Sequence, residues 1–149
     1  MFRGQFVHNI DAKGRVSVPV RFREALLSDG CTRFVLTPDP FDSCLHLHPM
    51  RAWEQFEEQI AALPTLDPHV VRFRRLYVSA AIECELDRTG RMLVPQHLRD
   101  HAELTKEILF AGTGRRIEVW SKQRWDAAVA MSADDLQAFK QAVMEQIRI

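Results

Sequence analysis

Two short stretches of this chain carry, at the same spacing, the residue types that grip a polyanion. Asp11, Lys13, Gly14 and Arg15 form the first, and Asp87, Arg88, Gly90 and Arg91 form the second. A carboxylate four residues before an arginine, across a glycine-bearing turn, can hold the guanidinium in one orientation and limit the entropy it loses on binding. A guanidinium so presented makes bidentate contacts to guanine edges or clamps phosphate, which a lysine ammonium does less selectively. A single copy would be only a turn with a local ion pair, worth little. Two copies flanked by further basic residues point to binding.

Both stretches sit inside a longer repeat. Asp11–Arg23 and Asp87–Arg99 share the pattern D-x-x-G-R-x-x-V-P-x-x-x-R, agreeing at Asp, Gly, Arg, Val, Pro and the final Arg. Phe6–Ile10 lies over Ile82–Leu86, Phe34–Leu36 over Ile108–Phe110, and Leu45–Leu47 followed by Trp53 over Ile117–Val119 followed by Trp125. The offset between copies shrinks across this stretch, which places extra residues in the first copy, most simply in Pro38-Asp-Pro-Phe41.

Local chemistry says what one copy should look like. Alternation at Phe6, His8 and Ile10, and at Val16 and Val18, predicts two strands with one buried face each. Between them the Asp accepts backbone N–H bonds and the Gly supplies a positive φ, so the phrase reads as the tip of a β-hairpin. Pro19 and Pro95 then open short helices with Phe22 and Leu26, or Leu98 and Ala102, on one face. Two more strands and a tryptophan-bearing helix follow in each copy. Met50–Leu63 and His69–Ala81 read as helices, broken by Pro64–Pro68, and Ser132–Asp135 resembles a capping box opening a last helix striped by Leu136, Phe139, Val143 and Ile147.

The expectation from the residues is an α+β fold with a mainly β core, built from two tandem copies of one module. The first repeat is placed at 5–54, a helical linker at 55–80, the second repeat at 81–126 and a C-terminal helix at 127–149. Units of that size would be marginal alone, so close association of the copies is expected.

Formal charge is zero, but its distribution is uneven. Residues 1–23 hold Arg3, Lys13, Arg15, Arg21 and Arg23 against Asp11 alone; residues 72–99 hold Arg72, Arg74, Arg75, Arg88, Arg91 and Arg99 against Glu83, Glu85 and Asp87. The remainder is correspondingly acidic, and local rather than overall charge decides where phosphates dock. Arg15, Lys13, Arg91 and Arg88 are the candidates for the groove, and Arg21, Arg23 and Arg99 for phosphate contacts. No long apolar run or charged-then-apolar leader argues for membrane insertion or export, and Cys31, Cys44 and Cys84 lack C-x-x-C spacing and read as reduced thiols of the cytoplasm.

Other chemistries are thinly supported. On a strand, Cys44, His46 and His48 would share one face as three zinc ligands. Their counterparts Arg116, Glu118 and Trp120 keep the apolar partners without the ligands, so the stretch reads as the polar outer face of a surface strand, and neither metal nor cofactor is expected. No nucleophile pattern, P-loop or dinucleotide fingerprint is present, and no enzyme is expected. Trp53, Trp120 and Trp125 accompany apolar periodicity and read as anchors of the cores.

The doubled D-x-x-G-R, the opening Met1-Phe-Arg-Gly4, Asp11-Ala-Lys-Gly-Arg15 and Glu118-Val-Trp120 together resemble the MraZ family of bacterial transcription regulators over nearly the whole chain. The resemblance implies two AbrB-type swapped-hairpin barrel modules in tandem, related by pseudo-twofold symmetry, and ring-shaped homo-oligomers. It implies binding of short G-rich direct repeats in double-stranded promoter DNA upstream of the division and cell-wall gene cluster, usually with repression, in the cytoplasm at the nucleoid. It places Asp11 with Arg15, and Asp87 with Arg91, on the DNA-binding surface. Arg3, among the basic residues near the first phrase, is a further candidate for DNA contact. The copies differ where Lys13 becomes Thr89 and Arg88 replaces Ala12, so the two prongs need not be equivalent. The alternative is an AbrB-like protein-interaction scaffold or antitoxin-type partner.

Overall fold

The computed structural model describes all residues, 1–149. The chain runs β1 (Phe2–Asn9), β2 (Arg15–Ser17), α1 (Val20–Leu26), β3 (Arg33–Pro38), β4 (Leu45–Pro49) and α2 (Met50–Ala61) in its first half. α3 (Pro68–Phe73) follows and continues into a π-helical turn at Arg74–Val78. The second half is β5 (Ile82–Glu85), β6 (Arg91–Leu93), α4 (Gln96–Ala102), β7 (Glu107–Gly114), β8 (Ile117–Ser121), α5 (Lys122–Val129) and α6 (Ala133–Gln146). The fold is mixed α+β around a mainly β core.

Six strands form one antiparallel sheet in the order β1-β7-β8-β4-β3-β5, while β2 and β6 pair in a separate two-stranded ribbon. Exchanging each element for its repeat counterpart (β1 for β5, β3 for β7, β4 for β8) returns the same order read backwards. The pseudo-twofold axis therefore passes between β4 and β8 and between β2 and β6. Each copy lends its first strand to the other: β1 pairs with β7 from Phe2↔Gly114 to Asn9↔Glu107, and β5 pairs with β3 from Arg33↔Glu85 to Leu36↔Ile82. The loop at Asp11–Arg15 is thus a tight turn without a hairpin ladder beneath it, because the strands on its two sides pair with the other copy. Period-two alternation identifies strands but not their partners.

Both faces of the central strands are covered. Phe34, Leu36, Leu45, Leu47, Ile108, Phe110, Ile117 and Val119 point to the main core, which Val16 and Met92 of the ribbon and Phe22, Leu26, Leu98 and Ala102 of α1 and α4 close from the other side. Pro19 and Pro95 stand at the N-caps of α1 and α4, where a fixed φ and a missing N–H cost nothing. On the opposite face Trp53 and Tyr77 pack on Val35 under α2 and the π-helical turn, and Trp120 with Trp125 of α5 packs on Leu109 and Ala111. Trp53, Phe56, Phe73 and Tyr77 form an aromatic cluster with centroids 5.1–6.2 Å apart, Phe73 stacked on Tyr77 and the other pairs tilted or edge-on. α6 starts at a Ser132 cap, its side chain accepting from Asp135 N at 3.1 Å, and leaves Leu136 and Phe139 more than half exposed.

Cys44, His46 and His48 depart from their expected place on an outer face. β4 is central in the sheet and overlain by helix, so all three are buried.

The side chain of Leu98 is 1 % exposed between α4 and the sheet. Leu98→Ala is expected to lower the unfolding free energy by about 2–5 kcal/mol, read from chemical denaturation, as large-to-small changes in a close-packed core do; a loss well under 1 kcal/mol would contradict the placement of α4.

Candidate nucleic-acid interface

The two loops are built alike from the aspartate outward. Asp11 Oδ1 accepts the backbone N–H groups of Lys13 and Arg15, each at 2.9 Å, and its Oδ2 accepts Arg15 Nε at 2.8 Å. Asp87 Oδ1 accepts Thr89 N at 2.9 Å, Thr89 Oγ1 at 2.9 Å and Arg91 N at 3.0 Å, and its Oδ2 accepts Arg91 Nε at 2.9 Å. The turns close with Asp11 N donating to Arg15 O and Asp87 N to Arg91 O, both at 2.9 Å. Hydrogen bonds from backbone N–H groups, that of Arg15 foremost, hold the Asp11 carboxyl below the usual carboxylate range; Arg91 N does the same for Asp87. Each carboxylate thus stays ionised and fixes its arginine through Nε, leaving the Nη groups to point onward.

The loops sit side by side. The ribbon register is Arg15↔Leu93, Val16↔Met92, Ser17↔Arg91. Val16 and Met92 are fully buried, so alternation sends Arg15, Ser17, Arg91 and Leu93 to the outer face. Leu93 is 56 % exposed there. Arg91 Nη1 comes within 3.9 Å of Asp11 Oδ2, joining the two ion pairs. Lys13 and Arg88 stand exposed at the two tips. Ser17 and Leu93 were not singled out from sequence, although extending the alternation of β2 and β6 by one position would have put them beside the arginines.

Beneath the loops lies a reciprocal arrangement. Val18 N donates to Gly90 O at 3.1 Å and Val94 N to Gly14 O at 2.8 Å, so each copy's strand end ties down the other's turn. Arg99 lies against Gly14 and donates from Nε to Val94 O at 3.0 Å, while Arg23 lies against Gly90. Arg23 Nε is buried without a hydrogen-bond partner. The structure therefore sets these two arginines under the opposite copy's turn, half-buried. Arg3 and Arg21 are elsewhere: they line a small surface cavity with Met1 and Phe2. Arg3 is some six strand residues, about 20 Å, from the loop end of β1.

These features define a class: a pseudo-symmetric β protein made by duplication, whose distinguishing surface is a guanidinium-bearing ribbon shared between its halves. Comparison with known proteins gives the family. The family model described as "MraZ protein, putative antitoxin-like" matches residues 1–76 and 78–145. A protein of Moorella thermoacetica named Transcriptional regulator MraZ is 39 % identical over 145 residues, 97 % of this chain and 98 % of that one. Proteins of the same name from Carboxydothermus hydrogenoformans, 44 % identical over 85 % of each chain, and from Desulfitobacterium hafniense strain DCB-2, 43 % identical over 93 % of this chain and 92 % of that one, are similar too. The chain belongs to the MraZ family. The relatives' name describes a regulatory, non-enzymatic role.

The turn glycines separate close packing from backbone strain. Gly14 has φ +87°, and a Cβ there would lie 2.7 Å from Val94 O and 2.8 Å from Arg99 Nε; Gly30 has φ +73° with nothing within 4 Å. Gly30→Ala should cost about 1–2 kcal/mol from conformation alone. Gly14→Ala should cost distinctly more in the same urea titration, and equal costs would show that the cross-copy packing under the loop is loose.

Proposed function

We propose that this chain is a sequence-specific DNA-binding transcriptional regulator, and that the outer face of the β2–β6 ribbon reads the DNA. The observation that carries the reading is the shared face: two arginines from two copies, each held by its own aspartate, present their Nη groups on one side of a two-stranded ribbon. A ribbon of that width enters a major groove, where fixed guanidinia match guanine O6 and N7. Lys13 and Arg88 at the tips and Arg23 and Arg99 below supply phosphate contacts. A formally neutral chain then binds a polyanion because its cations are gathered at one place.

The regulator is proposed to act as a ring-shaped homo-oligomer at the nucleoid. It binds short G-rich direct repeats upstream of the division and cell-wall gene cluster and represses it. Repeated weak ribbons on a ring, matched to repeated sites, give tight binding by avidity. The exposed apolar stripe of α6, including Leu136 and Phe139, supports self-association. Arg3 and Arg21, at a distance from the ribbon, act in this scheme only on DNA that extends past the loops.

Titration of promoter DNA with Arg15→Ala tests the reading. We expect a loss of about 1–3 kcal/mol per engaged subunit with altered base preference, whereas Lys13→Ala should weaken all sequences alike and lower the salt dependence by about one counterion. An unchanged isotherm for Arg15→Ala removes the ribbon from the site. Binding to a protein that survives high salt, with none to DNA, would favour the antitoxin-type reading instead.

A further inference from the structure

Apart from the ribbon, one cluster of chemically capable side chains lies on the far face of the sheet. Asp39, Cys44 and His46 bring a carboxylate oxygen, a thiol and an imidazole nitrogen within 4.8 Å of one another, all three residues buried. Cys44 Sγ is 3.5 Å and His46 Nε2 3.0 Å from the same oxygen, Asp39 Oδ2. We propose that Asp39 Oδ2, Cys44 Sγ and His46 Nε2 form a zinc site at the root of the loop joining β3 to β4, with solvent in the fourth position.

The spacing of the three groups is compatible with zinc. Tetrahedral zinc with Zn–S near 2.3 Å and Zn–N and Zn–O near 2.0–2.2 Å places sulfur and oxygen about 3.5 Å apart and nitrogen and oxygen about 3.3 Å apart. The separations of Cys44 Sγ and His46 Nε2 from Asp39 Oδ2, 3.5 and 3.0 Å, lie within a few tenths of an ångström of those values, and all three ligand atoms lie within 4.8 Å of one another. A carboxylate, a thiolate and an imidazole are a zinc-type donor set, too soft for magnesium or calcium.

The surroundings fit as well. Asp39 Oδ1 accepts Phe41 N at 2.8 Å, which aims the other oxygen inward. The second nitrogen of His46, Nδ1, is 2.7 Å from Tyr77 Oη, and Tyr77 Oη is 2.8 Å from His48 Nε2. Metal-bound imidazoles rely on such an outer partner for their orientation. When zinc takes Nε2, His46 keeps its one proton by carrying it on Nδ1, where it donates to Tyr77 Oη. Tyr77 turns its own proton to His48 Nε2, and His48 holds its proton on Nδ1. The thiol proton alone leaves to solvent, so one proton is exchanged for one dication. Burial is the largest influence on Cys44 and opposes its charged form; Asp39, Glu118 and Asp42 place negative charge toward it, which attracts a dication, and Arg116 opposes one from the His46 side.

The internal repeat confines the cluster to one half of the chain. Asp39 lies in the stretch that the first copy has in excess, and where the first copy has Cys44 and His46 the second has Arg116 and Glu118. In the second half, β7 and β8 are joined by Arg115 and Arg116 alone. The added loop and its ligands occur together in one copy. His48, although on the same face of β4, hydrogen-bonds Tyr77 and serves as support; Asp39 takes the place that sequence spacing would have given it.

The test is a titration of untagged, metal-stripped full-length protein with Co²⁺, followed by competition with Zn²⁺. The expected result is one equivalent per chain, a thiolate-to-cobalt charge-transfer band with tetrahedral d–d absorption, and loss of both on adding zinc. Cys44→Ser, close to isosteric, should abolish the charge-transfer band, and Asp39→Asn, which can keep the bond to Phe41 N, should weaken binding at least tenfold, while Cys31→Ser changes neither. Zinc, but not magnesium, should raise the melting temperature of the unmodified chain by several degrees. A folded protein that shows no thiolate band, or one whose band survives in Cys44→Ser, overturns the site and leaves the cluster a hydrogen-bonded network only.

Discussion

Backbone pairing between the two copies is the constraint on which the rest of the structure depends. β1 finds its hydrogen-bonding partner only in β7, β5 only in β3, and β2 only in β6. Neither half could satisfy its strand edges or fill its core alone, since the main core draws Val16, Phe22 and Leu47 from one copy and Met92, Leu98 and Phe110 from the other. Duplication here makes one intertwined unit with two related turns at its tip. The same pairing that completes the sheet brings Arg15 and Arg91 onto one face, so folding and the proposed binding surface have a common cause.

Much of this was legible in the chain, and the legible part was local. The Asp and Gly of each turn, the helix-opening prolines, the apolar pairs Phe22 with Leu26 and Leu98 with Ala102, and the Ser132 cap all act within a few residues and stand where expected. What was not legible depended on distant partners. Alternation marked β1 and β2 as strands, yet a hairpin and an exchanged pair have the same alternation. The polar face of β4 was read as solvent-exposed because Cys44, His46 and His48 alternate with leucines. β4 in fact lies mid-sheet under α2, and its histidines are buried neutral, with pKa values pushed down by burial to about 4 for His46 and about 3 for His48. Asp39 could not be singled out, because a carboxylate in a proline-rich loop looks like any turn residue.

The two halves are symmetric in backbone and unequal in chemistry. Both turns hold an arginine by the same carboxylate geometry, but Lys13 offers an ammonium where Thr89 only reinforces its aspartate. On the other face, Cys44, His46 and His48 of the first copy join Asp39 and Tyr77 in a buried network, where the second copy has Arg116, Glu118 and Trp120. The shared surface at the tip thus keeps the symmetry of the repeat, while the far face has diverged.

The central claim is that Arg15 and Arg91 act on DNA as a unit because the ribbon fixes them on one face. A double-mutant cycle measures this most directly, with Arg15→Ala, Arg91→Ala and the double variant titrated against the same promoter fragment. Coupling of about 0.5–3 kcal/mol between the two sites is the outcome the account predicts. Strict additivity, or no loss from either change, would contradict it.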